Sequence, residues 1–125
     1  MKRITHKKNI SMKVIDWREA EKIAARELEK EFKQKFLPRK IKAGNLTPRV
    51  DLVSEDGKII SQVKSCRKKF EELTNPQIET RFKRDYFFDC YLLGKISAKK
   101  RIFFLAADKS LFDEFEKKFK GSISK

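Results

Sequence analysis

Two short apolar segments joined by a tight-turn sequence constrain this chain more than any other feature. Residues 50–53 and 58–64 are rich in Val and Ile, and the sequence Ser-Glu-Asp-Gly separates them at 54–57. Asp-Gly is a strong signal for a turn between antiparallel strands, because Gly readily adopts the positive φ that such turns need. The sequence therefore predicts a β-hairpin, whose apolar side chains must pack against further elements.

Three other segments have features of helices. In residues 16–36, Asp16 is a suitable N-cap, apolar side chains then recur at three- and four-residue spacing, and a proline follows. Residues 74–84 begin with Thr-Asn-Pro, and Pro is tolerated in the first turn of a helix. A last helix is expected near the C-terminus, with Asp108 or Ser110 as its N-cap.

The remaining apolar segments complete the predicted order. Residues 101–107 (RIFFLAA) are the clearest strand, and residues 40–43 are expected to form a short one. The aromatic residues of 86–93 favour a buried strand, although the second helix could continue through them. The order α-β-β-β-α-β-β-α predicts an α/β fold with a central mixed sheet flanked by helices. Residues 1–15 are expected to form a basic arm or an edge segment, and residues 16–125 a single domain.

The charge of the chain indicates an anionic partner. Thirty-two Lys and Arg against eighteen Asp and Glu give a net charge of +14. Such a surplus repels itself unless a partner neutralises it, which favours nucleic acid over an anionic membrane surface or an acidic protein. A solvated Lys-rich surface is the alternative, although such surfaces usually balance Lys with Glu. Because no apolar run approaches the ~20 residues that cross a bilayer, and no apolar signal core is visible, we expect a cytoplasmic protein without membrane association.

Three polar residues in the predicted hairpin carry the clearest chemical signal. Asp51 lies between apolar neighbours, and Gln62 and Lys64 share one face of the following strand because side chains alternate with a period of two. If the two strands pair, Gln62 and Lys64 flank Asp51. Carboxylate and amide oxygens suit Mg²⁺, and a nearby ammonium can orient water or stabilise charge on a phosphate.

The spacing of these residues resembles that of the PD-(D/E)XK nuclease superfamily. Asp51 is followed eleven residues later by Gln62-Val63-Lys64, where the family has an acid, any residue and Lys. Two departures are evident: Pro48 lies three residues before Asp51 instead of next to it, and Gln62 replaces the second acid. Because Gln62 offers an oxygen without a negative charge, the metal should bind more weakly.

A residue in the first helix extends the resemblance. Members of this superfamily often place a Glu there, facing the metal. At ~100° per residue, Glu21 falls close to the centre of the apolar stripe that Trp17, Ala24 and Leu28 define. A carboxylate within an apolar stripe is costly unless it is paired or binds a metal. The helix also looks like the first helix of Holliday-junction-resolvase-like nucleases.

The resemblance extends over about residues 16–119 and carries specific implications. It implies a restriction-endonuclease-like core and a metal-dependent DNA endonuclease, structure-specific for branched DNA and acting as a homodimer. Glu21, Asp51 and Gln62 would be ligands of Mg²⁺, for which Mn²⁺ would substitute, and Lys64 would be the catalytic lysine. The rival interpretations are an inactive nucleic-acid-binding protein on the same fold and a basic structural protein associated with nucleic acid.

Basic residues lie on both sides of the candidate site in the sequence. One cluster leads into the Asp51 strand and the other leaves the Lys64 strand, where phosphates would need neutralising. These predicted nucleic-acid-binding residues are Arg39, Lys40, Lys42, Arg49, Arg67, Lys68 and Lys69.

Several polar and aromatic residues also have structural interpretations. Asp51 could be a strand-end residue satisfied by backbone amides, and Gln77 is expected to form a capping box with Thr74. Trp17, the phenylalanines, Tyr86 and Tyr91 are expected in the core and not as base-stacking platforms.

Overall fold

A five-stranded mixed sheet lies at the centre of the computed structural model, which describes residues 6–10, 16–66, 70–107 and 109–122. Helices cover both of its faces. The elements are β1 (His6–Ile10), α1 (Trp17–Phe32), β2 (Phe36–Lys40), β3 (Arg49–Ser54), β4 (Ile59–Ser65), a 3₁₀ turn (Phe70–Glu72), α2 (Asn75–Thr80), a π-helical turn (Arg81–Tyr86), α3 (Phe87–Lys95), β5 (Lys100–Ala106) and α4 (Lys109–Ser122). The general α/β class with a mixed sheet and flanking helices is therefore confirmed. Within the described residues, no helix is long and apolar enough to cross a membrane.

The strand order of the sheet is β1-β5-β4-β3-β2, with β4 at its centre and β5 between β4 and the edge strand β1. β5 pairs in parallel with both of its neighbours, β1 and β4. β3 pairs antiparallel with β4 and with β2. β1 and β2 are thus the two edge strands, and residues 6–10 of the basic N-terminal segment belong to the sheet.

The alternating side chains of the strands divide the core into two layers. Ile102, Phe104 and Ala106 of β5 pack toward α1, together with buried residues of β2, β3 and β4. The alternate residues Phe103 and Leu105 pack on the other face, against α2, the π-helical turn, α3 and α4. This is why β5 reads as a continuous apolar run in the sequence.

The first helix is shorter than its periodicity predicts. Asp16 is its N-cap, as expected, and its side chain accepts a hydrogen bond from the Glu19 backbone. The prediction of a helix to residue 36 is wrong, because Lys33 adopts a left-handed conformation (φ 55°) that ends the helix. Phe36 instead begins β2, where its backbone N–H donates to the Glu29 carboxylate.

The short strand before the hairpin also lies earlier than predicted, at Phe36–Lys40 and not at 40–43. It contains Pro38, which cannot donate a backbone hydrogen bond and is therefore tolerated mainly on edge strands and at bulges. β2 is an edge strand, and its register with β3 shifts between Leu37 and Arg39. The hairpin itself is confirmed, with Gly57 at φ 73° in the turn between β3 and β4.

The favoured prediction of a strand at 86–93 is wrong, and the alternative, that the second helix continues through these residues, is confirmed. α2, the π-helical turn and α3 follow one another without interruption from Asn75 to Lys95, and Thr74 and Gln77 form the expected capping box. The predicted order α-β-β-β-α-β-β-α is accordingly wrong there, and the N-terminal segment supplies the fifth strand. Aromatic packing stabilises the helix, because the rings of Phe82 and Tyr86 both pack edge-to-face against the ring of Phe115 in α4, at centroid distances of 5.5 and 5.4 Å.

The aromatic residues are not all in the core. Tyr86 and most of the described phenylalanines are buried, as expected. Trp17, Phe88 and Tyr91 are instead 53%, 51% and 46% exposed, so their assignment to the core is wrong. Trp17 is the first residue of α1, so its side chain lies at the N-terminal end of the apolar stripe of the helix.

Arg101 is a buried cation that closes the C-terminal end of α3. Its Nε donates to the carbonyl oxygens of Leu93 and Ile96, both at 3.1 Å, and its Nη2 donates to Ile96 at 2.9 Å. The last carbonyls of a helix have no partner within the helix, and a positive charge there also interacts favourably with the helix dipole. Burial lowers the pKa of Arg101, which nevertheless stays protonated.

Replacing Arg101 with Met should therefore destabilise the fold by about 2 kcal/mol, because buried carbonyl oxygens lose charge-assisted hydrogen bonds. The free energy of unfolding in urea measures the effect. Arg26→Met, which changes an exposed arginine of α1, is the matched control and should leave stability within about 0.5 kcal/mol. Equal stabilities of the two variants would contradict the capping role of Arg101.

Candidate functional site

A cleft of about 400 Å³ opens where β3 and β4 separate, between α1 and the π-helical turn. Most of the residues that line it are polar or charged. They are Trp17, Glu21, Arg49, Asp51, Val63, Lys64, Ser65, Arg81, Asp85 and Tyr86. The cleft thus brings together Glu21, Asp51 and Lys64, which come from three different elements, with Arg49 beside them.

The separation of β3 from β4 creates the space. The two strands pair at Leu52–Ser61 and Val53–Ile60, whereas β4 pairs with β5 along its whole length. β4 therefore stays paired with β5 but separates from the N-terminal part of β3. Side-chain hydrogen bonds connect β3 and β4 in that region. The Asp51 backbone N–H donates to Gln62 Oε1 at 2.7 Å, and the Val63 N–H donates to Asp51 Oδ2 at 2.8 Å.

These bonds fix the orientation of the Asp51 carboxylate. Oδ2 is held by the backbone of β4, while Oδ1 faces the cleft and accepts from Arg49 Nη1 at 2.6 Å. The interpretation of Asp51 as a residue satisfied by backbone amides thus describes one of its two oxygens. Gln62 is buried, and its side-chain oxygen accepts from the Asp51 backbone. Gln62 therefore positions the strand that carries Asp51, and its role as a metal ligand stays a prediction.

Glu21 and Asp51 converge on a single cationic group. The Arg49 guanidinium donates to both oxygens of Glu21, at 3.2 and 3.1 Å, and to Asp51. The hydrogen bond to Glu21 is the main cause that raises the pKa of Arg49. Burial is the main cause that raises the pKa of Asp51, and repulsion from Glu21 adds to it, while the Val63 N–H, Arg49 and Lys64 oppose the rise.

Lys64 has a partner that the sequence did not indicate. Its Nζ lies 3.3 Å from Oδ2 of Asp89, a buried carboxylate of α3. Burial raises the pKa of Asp89 to about 6, although Lys64 favours its ionised form. Asp89 therefore holds the ammonium of Lys64 at the wall of the cleft from the side opposite to α1.

The two converging carboxylates meet the usual requirement of Mg²⁺. Protein sites for this ion commonly supply one or two carboxylates, and water and substrate phosphate complete the coordination. Glu21 and Asp51 already share one cation, and Arg49, whose side chain is half-exposed, has room to leave them. In the part of the chain that the structure describes, no three His, Cys, Asp or Glu side chains lie together as a ready-made metal cage. The residues present fit an ion that the substrate helps to hold.

The predicted basic clusters differ in their relation to the cleft. Arg49 lines it, whereas Arg39, Lys40 and Lys42 are exposed on β2 and the loop that follows and do not line it. The guanidinium of Arg39 lies beside Gly57, in the turn of the hairpin. The second cluster, Arg67, Lys68 and Lys69, lies outside the described residues.

Four residues in or beside the cleft were missed as functional candidates: Trp17, Arg81, Asp85 and Asp89. Asp89 lies behind Lys64, and the other three line the cleft. Arg81, Asp85 and Asp89 recur every four residues, which places them on one side of a helix. The four-residue spacing could have indicated these residues, but it has this meaning only in a helix, and residues 86–93 were interpreted as a strand.

Comparison of the chain with family models, with curated proteins and with solved structures finds no match.

Proposed function

We propose that this protein is a metal-dependent DNA endonuclease that hydrolyses phosphodiester bonds, on an α/β fold with a restriction-endonuclease-like core. The observation that supports the proposal best is the convergence of Glu21 and Asp51 on one cation beside Lys64. The net charge of +14 is a second argument, because a polyanionic substrate would neutralise it.

The side chains of the cleft would divide the work as follows. Glu21 and Asp51 hold Mg²⁺, or Mn²⁺ in its place, and Gln62 keeps the Asp51 backbone in position. The ion, when bound, supplies an acidic water and electrostatic stabilisation of the phosphate. Lys64 donates hydrogen bonds to the attacking water or to a phosphate oxygen. Arg49, once released from the carboxylates, binds phosphate as a planar bidentate donor. The products would be a 5′-phosphate and a 3′-hydroxyl.

The expected substrate is branched or otherwise structured DNA. Short basic surfaces on β2 and around the cleft contact phosphates, which position a duplex without reading its sequence. A homodimer would present two such clefts to the two strands of a branched substrate. The protein would act inside the cell, in recombination or repair.

Cleavage of defined DNA substrates tests this proposal. The purified chain is incubated with supercoiled plasmid, linear duplex and a four-way junction, with Mg²⁺, Mn²⁺, Ca²⁺ or EDTA. We expect nicking with Mg²⁺ and Mn²⁺, preferential cleavage of the junction, and no cleavage in EDTA. End-labelling of the products identifies the 5′-phosphate.

A second candidate is a catalytically inactive nucleic-acid-binding protein. The observation that favours it is the Arg49 guanidinium, which donates hydrogen bonds to both Glu21 and Asp51 and so can hold the two carboxylates together by itself. This candidate predicts tight, salt-sensitive DNA binding that divalent ions do not change, with no cleavage of any substrate. That result would contradict the proposed endonuclease activity.

A further inference from the structure

The indole of Trp17 is an exposed aromatic group at the mouth of the cleft. Trp17 begins α1 and lies one helical turn before Glu21, so the two side chains share a face of the helix. It lines the same cleft as Asp51 and Lys64, and it is 53% exposed. The other aromatic residue of the cleft, Tyr86, is only 1% exposed, so Trp17 alone of these lining residues offers an accessible aromatic surface.

The surroundings of Trp17 indicate what kind of group it would contact. The Arg18 guanidinium lies over the indole, 5.2 Å from the ring centroid. Arg49, Lys64 and Arg81 supply further positive charge to the cleft. A flat aromatic ring next to several cations suits a ligand that combines a π-face with an adjacent anion. A nucleotide has this combination, because its base can stack while its phosphate binds the cations.

The state of the nucleotide follows from geometry. In a regular duplex each base is stacked between its neighbours and paired, so its faces are closed to a protein side chain. A base in a single strand, in a flap or at a branch point can turn outward and stack on an aromatic residue. We infer that Trp17 is a stacking platform for an unpaired nucleobase whose phosphate lies in the cleft.

This inference rests on the proposed function for the nature of the ligand, and it specifies which DNA is bound. The site would prefer a strand with unpaired bases to uniform duplex. Trp17 contributes affinity for the base, whereas the cations contribute affinity for the phosphate.

Trp17 is the single tryptophan of the chain, so its fluorescence reports on this position alone. The full chain is titrated in EDTA, which prevents cleavage, with oligothymidylate and with an abasic strand of equal length. Stacking should quench the fluorescence with oligothymidylate and not with the abasic strand. Unchanged fluorescence at saturating oligothymidylate would overturn the inference.

Affinities measured with a fluorescein-labelled strand give an independent test. Trp17→Ala should weaken binding of oligothymidylate about 5-fold to 150-fold, because one base–aromatic stack is worth ~1–3 kcal/mol. Trp17→Phe should restore part of the loss, and binding of the abasic strand should not change. Phe88→Ala, at an exposed aromatic of α3, is the matched control. Equal losses for oligothymidylate and the abasic strand would contradict stacking.

The two proposals fail in different ways. If oligothymidylate quenches the fluorescence but no DNA is cleaved in Mg²⁺, the proposed base-stacking site stands and the proposed endonuclease activity is wrong. If Trp17→Ala cleaves at the wild-type rate and binds single strands with unchanged affinity, the proposed endonuclease activity stands and the proposed base-stacking site is wrong.

Discussion

Replacing Asp51 with Asn is expected to lower the rate of Mg²⁺-dependent cleavage by about 100-fold to 1,000-fold, the range seen when an enzyme loses one group that stabilises transition-state charge. The change removes the charge of the only cleft carboxylate that is fixed by the backbone of β4, and Asn can still accept the hydrogen bond from Val63. The fold should therefore survive while the metal site loses a ligand. Single-turnover cleavage of a four-way junction measures the rate.

Matched variants separate catalysis from folding and from binding. Asp113→Asn removes an exposed carboxylate of α4 that does not line the cleft, and this variant should cleave at the wild-type rate. Lys64→Ala should cleave about 100-fold to 1,000-fold more slowly than wild type while it still binds the junction. Lys99→Ala, which removes an exposed lysine, should cleave at the wild-type rate. If Asp51→Asn and Asp113→Asn cleave equally, Asp51 has no part in the reaction.

The buried carboxylate of Asp89, beside the partly exposed Lys64, should make stability depend on pH in a defined direction. The pKa of Asp89 is about 6 in the fold and near 3.9 in an unfolded chain. Between these values the folded state binds more protons, so the free energy of unfolding falls as pH rises through this window. Asp89→Asn should not lose stability in this way, because the Asn side chain does not ionise. From pH 4 to pH 7 the stability of the variant should therefore rise by on the order of 2–3 kcal/mol relative to wild type.

Urea denaturation at a series of pH values measures this difference. Asp113→Asn serves again as the control, because it removes an exposed carboxylate and not a buried one. The two curves for wild type and Asp89→Asn should converge below pH 4 and separate as the pH rises. Parallel curves over the whole range would show that Asp89 ionises in the fold as it does in water.

The features that could be predicted from the sequence are those with local physical causes. The Asp56–Gly57 turn, the Asp16 cap and the capping box of Thr74 and Gln77 all formed as expected, because each depends on a few neighbouring residues. The alternation along β4 likewise predicted that Lys64 shares a face with Ile60, and both lie on the side of the sheet that α3 covers. A period of two suffices to assign faces once a strand is identified.

The errors concern segments whose conformation is decided by distant partners. Residues 86–93 have the composition of a strand, yet Tyr86 packs against Phe103 of β5 and Phe115 of α4 in a helix. Asp89 could not be paired with Lys64 until that helix was known. Trp17 fits the apolar stripe of α1 in sequence, but its side chain is about half exposed and lines the cleft. Periodicity predicts which face of an element a side chain lies on, but it does not predict which other element packs against that face.

The position of β5 has a consequence for how the chain folds. Both of its neighbours pair with it in parallel, and the side chain of Asn9 in β1 bonds to carbonyl oxygens of Leu105 and Ala107, 96 and 98 residues away along the chain. Contacts of such sequence separation slow folding, because loop-closure entropy is lost before they form. During synthesis β1 has no partner strand until β5 emerges, long after the hairpin of β3 and β4 can close. We therefore expect folding to begin at the hairpin and to become cooperative only when the last strand enters between two strands made earlier.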